Sequence, residues 1–235
     1  MALTTAHMLT RLRKILAYDL DGYFEGDARE AGDVTDDELL PWLNQAQDEL
    51  ARRVGLTDND LDIPVTTGTR TYAYASGLSR RVVKVHSLFV DGRELGNPIT
   101  EADLEERMPS WRTDANGETR YYTETPSTSL SLFPSPDATA AARSYRARVS
   151  YLPTPLSPSV DSELPEEVHP HIPNLAAVMI GMPFATEGQQ MQRLIGMRDS
   201  AYAMAARFSR EAASDRFDPV AFAANRRPAR GWLGR

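Results

Sequence analysis

Tyr145-Arg146-Ala147-Arg148-Val149-Ser150-Tyr151 alternates strictly, with Tyr145, Ala147, Val149 and Tyr151 falling on one side of an extended chain and Arg146, Arg148 and Ser150 on the other. A two-residue period is that of a half-buried β-strand, and it predicts one packed side and one that is wet or bound. Just beyond it, Pro153, Pro155, Pro158 and Pro165 make a stiff, extended passage, after which the period becomes helical. The opposite change occurs upstream near Ile63, where a helical pattern gives way to alternation. Two helical segments, neither long enough to bury a core alone, therefore have to meet around an inserted β-rich block.

The first helical segment opens with Leu9, Leu12, Ile15 and Leu16 among Arg11, Arg13 and Lys14, an amphipathic helix of about three turns. Asp19 to Gly32 is acidic, punctuated by glycine, and reads as a loop. Thr35-Asp36-Asp37-Glu38 is a capping box that announces a second helix, whose apolar stripe is Leu39, Leu43, Ala46, Leu50 and Val54. Pro41 conflicts with that start because a proline past the first turn forfeits a helical hydrogen bond, so a kink or a later start is expected. Gly55 is the expected stop.

Within the β block, Thr67, Thr69, Thr71, Tyr72 and Tyr74 favour extended chain, and Val82 to Val90 is a β-branched run ending in the hairpin signal Asp91-Gly92. Pro98 to Met108 predicts a short helix, with Trp111 as an anchor after it, and Arg120 to Thr125 and Ser129 to Phe133 predict further strands. Helix resumes from about Glu166 or Asn174 through Ala185, and again from Gln189 to Ala213. There Leu194, Met197, Ala201, Met204 and Phe208 form one seam. After Ser214 prolines, arginines and small residues read as an arm. The predicted fold class is α+β: a helical bundle of N- and C-terminal helices, an inserted antiparallel β-rich domain and an extended C-terminal arm. The corresponding division is residues 1–62, 63–158, 159–213 and 214–235.

Composition narrows the function classes. The absence of cysteine excludes disulfides, thiolate nucleophiles and cysteine metal sites. A formal charge of -7 argues against a surface that clamps nucleic acid throughout. The distribution is more informative: Asp27 to Asp62 holds eleven acids against Arg29, Arg52 and Arg53, whereas Asn225 to Arg235 holds four arginines and no acid. An acidic body with a basic tail suits docking onto another subunit. The stretch around Ile172 to Phe184 is too short and too interrupted to span a bilayer, so no membrane association is expected. Met1 to Thr10 lacks the pattern of a secretory signal.

Three constellations invite a chemical reading. Tyr18-Asp19-Leu20-Asp21-Gly22 resembles the first motif of haloacid-dehalogenase-type phosphotransferases, and Gly32, Asp33 and Asp37 echo their acidic Mg²⁺ motif. That family places the second motif after a full α/β domain, and here only a short loop intervenes. Asp58, Asp60 and Asp62 mimic the start of a calcium loop, but Ile63 stands where glycine is required, and an acidic solvated turn is expected instead. His169-Pro170-His171 lies beside Glu166 and Glu167 without a third nitrogen donor nearby, which favours a helix entry over a metal site. No catalytic residue, cofactor or metal is expected.

Several ordered segments together carry a resemblance. They are Thr35-Asp36-Asp37-Glu38-Leu39-Leu40-Pro41-Trp42-Leu43-Asn44-Gln45-Ala46-Gln47-Asp48-Glu49-Leu50-Ala51, Thr66-Thr67-Gly68-Thr69-Arg70-Thr71-Tyr72, Val90-Asp91-Gly92-Arg93-Glu94-Leu95, Leu130-Ser131-Leu132-Phe133-Pro134-Ser135-Pro136 and Leu164-Pro165-Glu166-Glu167-Val168-His169-Pro170. In this order they are similar to bacteriophage head-to-tail adaptor (connector) proteins. The resemblance implies a virion structural protein, made in the host cytoplasm and placed in the neck. It implies a homo-oligomeric ring, expected to be twelve-fold, between the portal protein and the tail or nozzle proteins, with DNA passing through the channel without specific binding. The arm residues Phe217, Phe222, Arg226, Arg227, Arg230 and Trp232 are the expected portal-docking set, and Asp27, Glu30 and Asp33 the expected channel-lining acids. Two other readings stay open: another ring-forming tail-completion or tail-tube component, and an Asp-dependent phosphohydrolase.

Overall fold

The structure, a computed structural model, describes residues 3–19, 34–74, 78, 80–96, 98–113, 115–125, 127–183, 185 and 188–215. The chain is α+β, with six helices and two antiparallel sheets among these residues. Helix α1 is Thr5–Asp19 and α2 is Asp36–Val54. Strands β1 (Thr57–Asp62), β2 (Thr71–Ala73), β3 (Arg81–Val90) and β4 (Arg93–Glu94) follow. Next come α3 (Glu101–Arg107), β5 (Tyr121–Thr125), β6 (Ser129–Phe133), the single turn α4 (Ala138–Ala141) and β7 (Tyr145–Leu152). The chain closes with α5 (His171–Gly181) and α6 (Gln189–Asp215).

Helices separated by more than a hundred residues share one core. Met8, Leu9, Leu12 and Leu16 of α1 and the α2 stripe Leu39, Leu43, Ala46, Leu50 and Val54 meet Ile172, Leu175, Ala176 and Val178 of α5 and Leu194, Ala201 and Ala205 of α6. Helix α5 touches α1, α2 and α6, and is the most apolar of the four, as a helix surrounded by others must be. Helix α2 begins at Asp36 and runs through Pro41, so the later start is not adopted. Glu38 holds its first turn by accepting from the Thr35 amide at 2.9 Å and from Thr35 Oγ1 at 3.0 Å. Its end is Gly55 in the left-handed region at φ 74, with the Gly55 amide donating to the Ala51 carbonyl.

The β block has two layers. One sheet runs β1-β7-β3-β4 and the other β2-β6-β5. Between them lie Leu61, Tyr72, Val85, Leu88, Tyr122, Leu130, Leu132, Tyr145, Ala147 and Val149. The inward set of β7 is the one its alternation names, with the slight difference that Tyr151 is only half-buried. The β3–β4 hairpin turns at Asp91 (φ 49) and Gly92 (φ 77), two consecutive left-handed residues that match the twist of the strands. A third, small cluster of Leu104, Trp111 and Phe133 seats α3 on the second sheet, with the Trp111 and Phe133 rings edge-to-face at 5.1 Å.

One expectation is corrected here. Asp58, Asp60 and Asp62 do not sit in a solvated turn: they belong to β1, an edge strand paired antiparallel to β7. The acids are accommodated because Arg146 of β7 approaches Asp62 at 3.4 Å and Asp60 at 3.7 Å, while Arg80 approaches Asp58 at 3.7 Å. Charges along an exposed edge also discourage unwanted pairing.

Candidate docking surfaces and the junction behind them

The helical core and the β block are joined by the proline-rich passage 153–170, and polar side chains of α2 hold it in place. Asn44 and Gln47 stand one turn apart on the same flank of α2. Asn44 Oδ1 accepts from the Leu156 amide at 2.5 Å and Asn44 Nδ2 donates to the Leu156 carbonyl at 3.2 Å, and Gln47 Nε2 donates to the Thr154 carbonyl at 3.0 Å. The helix thus pairs with the passage much as a neighbouring strand would, and it satisfies backbone groups that the prolines leave without a ladder. Further along, Asp161 Oδ1 accepts from the Thr5 amide at 2.8 Å and the Val160 carbonyl from Thr5 Oγ1 at 2.7 Å, which caps α1.

Two adjacent arginines tie the β block to this junction. Arg81 grips Asp48 of α2 with both terminal nitrogens, at 3.0 and 2.7 Å, and donates to the Pro153 carbonyl at 3.0 Å. Arg80 pairs with Glu163 at 3.0 Å and lies over the Tyr151 ring at 4.8 Å. Burial alone would raise the Glu163 carboxyl, but hydrogen bonds from Thr154 and the Arg80 charge outweigh it and hold the group below the ordinary glutamate value. A cleft of about 440 Å³ opens here, lined by Arg52, Arg80, Arg81, Tyr74 and Val83 among others.

In the β block, Glu124 of β5 turns onto the free side of β3, where its Oε1 accepts from the Val85 amide at 2.6 Å and from the Tyr74 hydroxyl at 3.0 Å. This occurs where β3 bulges against β7, so the carboxylate takes an amide no strand reaches. Burial raises the Glu124 carboxyl above its ordinary value despite those two donors, and burial together with Glu124 pushes the Tyr74 phenol far up.

None of the expected docking or channel residues falls in the described part. Phe217, Phe222, Arg226, Arg227, Arg230 and Trp232, and likewise Asp27, Glu30 and Asp33, lie outside the described residues. Of the phosphotransferase-like motif, Asp19 ends α1 while Asp21 and Asp33 are also outside them. No group of three metal-ligating side chains occurs among the described residues. His169 is buried and fully used: its Nδ1 accepts from the Leu3 amide at 3.2 Å, which leaves Nε2–H to donate to the Leu164 carbonyl at 2.8 Å. Burial, with the Arg11 charge nearby, holds His171 below the ordinary histidine value. Both histidines serve helix entry. Asn44, Gln47 and Glu124 escaped the sequence reading, though the one-turn spacing of two amides beside an apolar stripe was a usable sign.

The segments that carry the resemblance fall on α2 as far as Ala51, the turn into β2, the β3–β4 hairpin, most of β6 with the turn after it, and the entry to α5. The family model described as SU10 adaptor protein matches residues 4–228. The chain belongs to this phage head-to-tail adaptor family. No curated protein matches it. The matched span of this adaptor covers Phe217, Phe222, Arg226 and Arg227 and stops short of Arg230 and Trp232. No helix among the described residues is long and apolar enough to cross a membrane.

Proposed function

We propose that this adaptor is a virion subunit of the phage neck, assembled as a ring under the portal, where it extends the DNA channel and offers the attachment surface for the tail. The observation that carries the reading is the family match over nearly the whole chain, residues 4–228. The twelve-fold ring belongs to the same proposal. Residues 1–62 and 159–213 make the helical body as a bundle, apart from β1 at the end of the first segment, which pairs with β7 of the inserted β-rich domain 63–158, and 214–235 make the arm. A mechanical role asks for a rigid body, and the junction supports that: α2 is bound by side chains both to the passage 153–170 and, through Asp48 and Arg81, to β3.

In this reading the arm grips the portal through Phe217, Phe222, Arg226, Arg227, Arg230 and Trp232, aromatic anchors beside arginines being a composition enriched at interfaces. Asp27, Glu30 and Asp33 face the channel, where like charge keeps DNA sliding. The test is co-purification with the portal protein of the same phage. Full-length chain should be retained and a chain ending at Ser214 should be lost; retention of the truncated chain refutes the arm assignment. Electron microscopy of the retained complex should show a ring, and a single bound subunit would overturn the ring.

A further inference from the structure

Among the described residues, none of the three buried clusters takes in the outward residues of β7, although Ser87 of β3 on the same face is buried. Tyr145, Ala147 and Val149 of β7 enter the second core, which turns Arg146, Arg148 and Ser150 the other way. On β3, Phe89 pairs with Arg146, Ser87 with Arg148 and Lys84 with Ser150, extending the same face. Phe89 is half-buried yet joins none of the three buried clusters. Arg146 is occupied by Asp60 and Asp62. Lys84 is exposed and, like Arg148, forms no ion pair among the described residues. Arg148 sits on β7, one of the two inner strands, and its Nε is buried without a hydrogen-bond acceptor among the described residues. A desolvated guanidinium N–H with no acceptor is relieved by an incoming carboxylate.

The opposite side of the block carries its acids on α3, beside Arg70, Arg107 and Arg112, which lie against the Trp111, Phe133 and Tyr121 rings. Tyr121 pairs with Phe133, and both point away from the core that takes Tyr122 and Leu132. Leu104 of α3 and Trp111 cover them there. With Leu104 turned inward, helical geometry directs Ala102 and Glu106 outward and puts Glu101 and Glu105 on the flank. All four are exposed. Glu105 is taken by Arg112, while Glu101 and Glu106 form no ion pair among the described residues. Two different, complementary patches on opposite sides of one chain fit a head-to-tail contact, the kind that closes into a ring; an isologous dimer needs a single self-complementary patch.

We propose that the outward face of the four-stranded sheet receives helix α3 of a second copy, with Arg148 and Lys84 of one subunit meeting Glu106 and Glu101 of the next. This rests on the ring reading above and locates its contact. Because the chain has no cysteine, an introduced thiol is the only one present. Full-length Lys84→Cys and Glu106→Cys chains, mixed and oxidised with and without the portal protein, should give a covalent dimer that neither variant gives alone. A chain carrying both substitutions should give a ladder. If the wild-type chain forms oligomers in sedimentation but the mixture yields no cross-link, this contact is refuted and the ring stands. A wild-type chain that remains monomeric under both conditions refutes the ring and this contact together. In parallel, Arg148→Glu should weaken self-association by about tenfold or more, and Glu106→Arg in the same chain should restore it. Unchanged association in Arg148→Glu overturns the proposal.

Discussion

Asn44 shows how much one side chain can carry in this fold. It satisfies both backbone groups of Leu156 from a helix 112 residues away in sequence. Asn44→Ala should strand both groups in a part-buried setting and destabilise the chain by about 1–3 kcal/mol, read by denaturant unfolding. Two glutamates should give opposite pH signatures. Glu163 lies below its ordinary value of 4.5, so it contributes stability that is present above that value and lost as pH falls through the folded-state pKa. Glu124 lies above 4.5, so the folded state holds its proton longer, and stability declines as pH rises through the raised value. Glu163→Gln should therefore lower stability at neutral pH and remove the acid-side slope, whereas Glu124→Gln should raise it and remove the slope above 4.5. Unfolding midpoints measured from about pH 2 to 8, a range that reaches well below and well above the ordinary glutamate value, separate the two.

Elements here are held by packing more than by propensity. Helix α2 tolerates Pro41 because its first turn is anchored by Glu38 and its stripe is buried on α1, α5 and α6. Leu43, fully buried at the middle of that stripe, should cost about 2–5 kcal/mol as Leu43→Ala, measured by thermal or denaturant unfolding. The β3–β4 hairpin depends on backbone shape instead. A methyl group at Gly92 would meet nothing within 4 Å, so the cost of Gly92→Ala comes from φ 77 alone and should be about 1–2 kcal/mol. A loss outside that range on the same unfolding measurement would mean that the turn changes type.

At the scale of the whole molecule, folding and docking should be separable. Among the described residues, the three buried clusters draw all their members from before Ser209. A chain ending at Ser214 should therefore melt within a degree or two of the full chain (a change under ~0.5 kcal/mol) while losing the portal. A large drop in melting temperature would show that the last 21 residues support the body. By itself, the sequence determined periodicity: the capped stripe of α2, the alternation of β7, the Asp91-Gly92 hairpin and the seam of α6 are all readable because each depends on neighbours within a few positions. It also determined the family, since ordered local segments are what a resemblance compares. The tertiary structure alone decided what those elements do to one another. That β1 is a strand, that Asn44 and Gln47 bind the proline passage and that Glu124 fills a bulge all depend on partners 39 or more residues away, and that Arg148 Nε stands unanswered depends on what the rest of the fold leaves beside it. Such pairings are set by burial and hydrogen-bond satisfaction across the fold, and no local pattern encodes them.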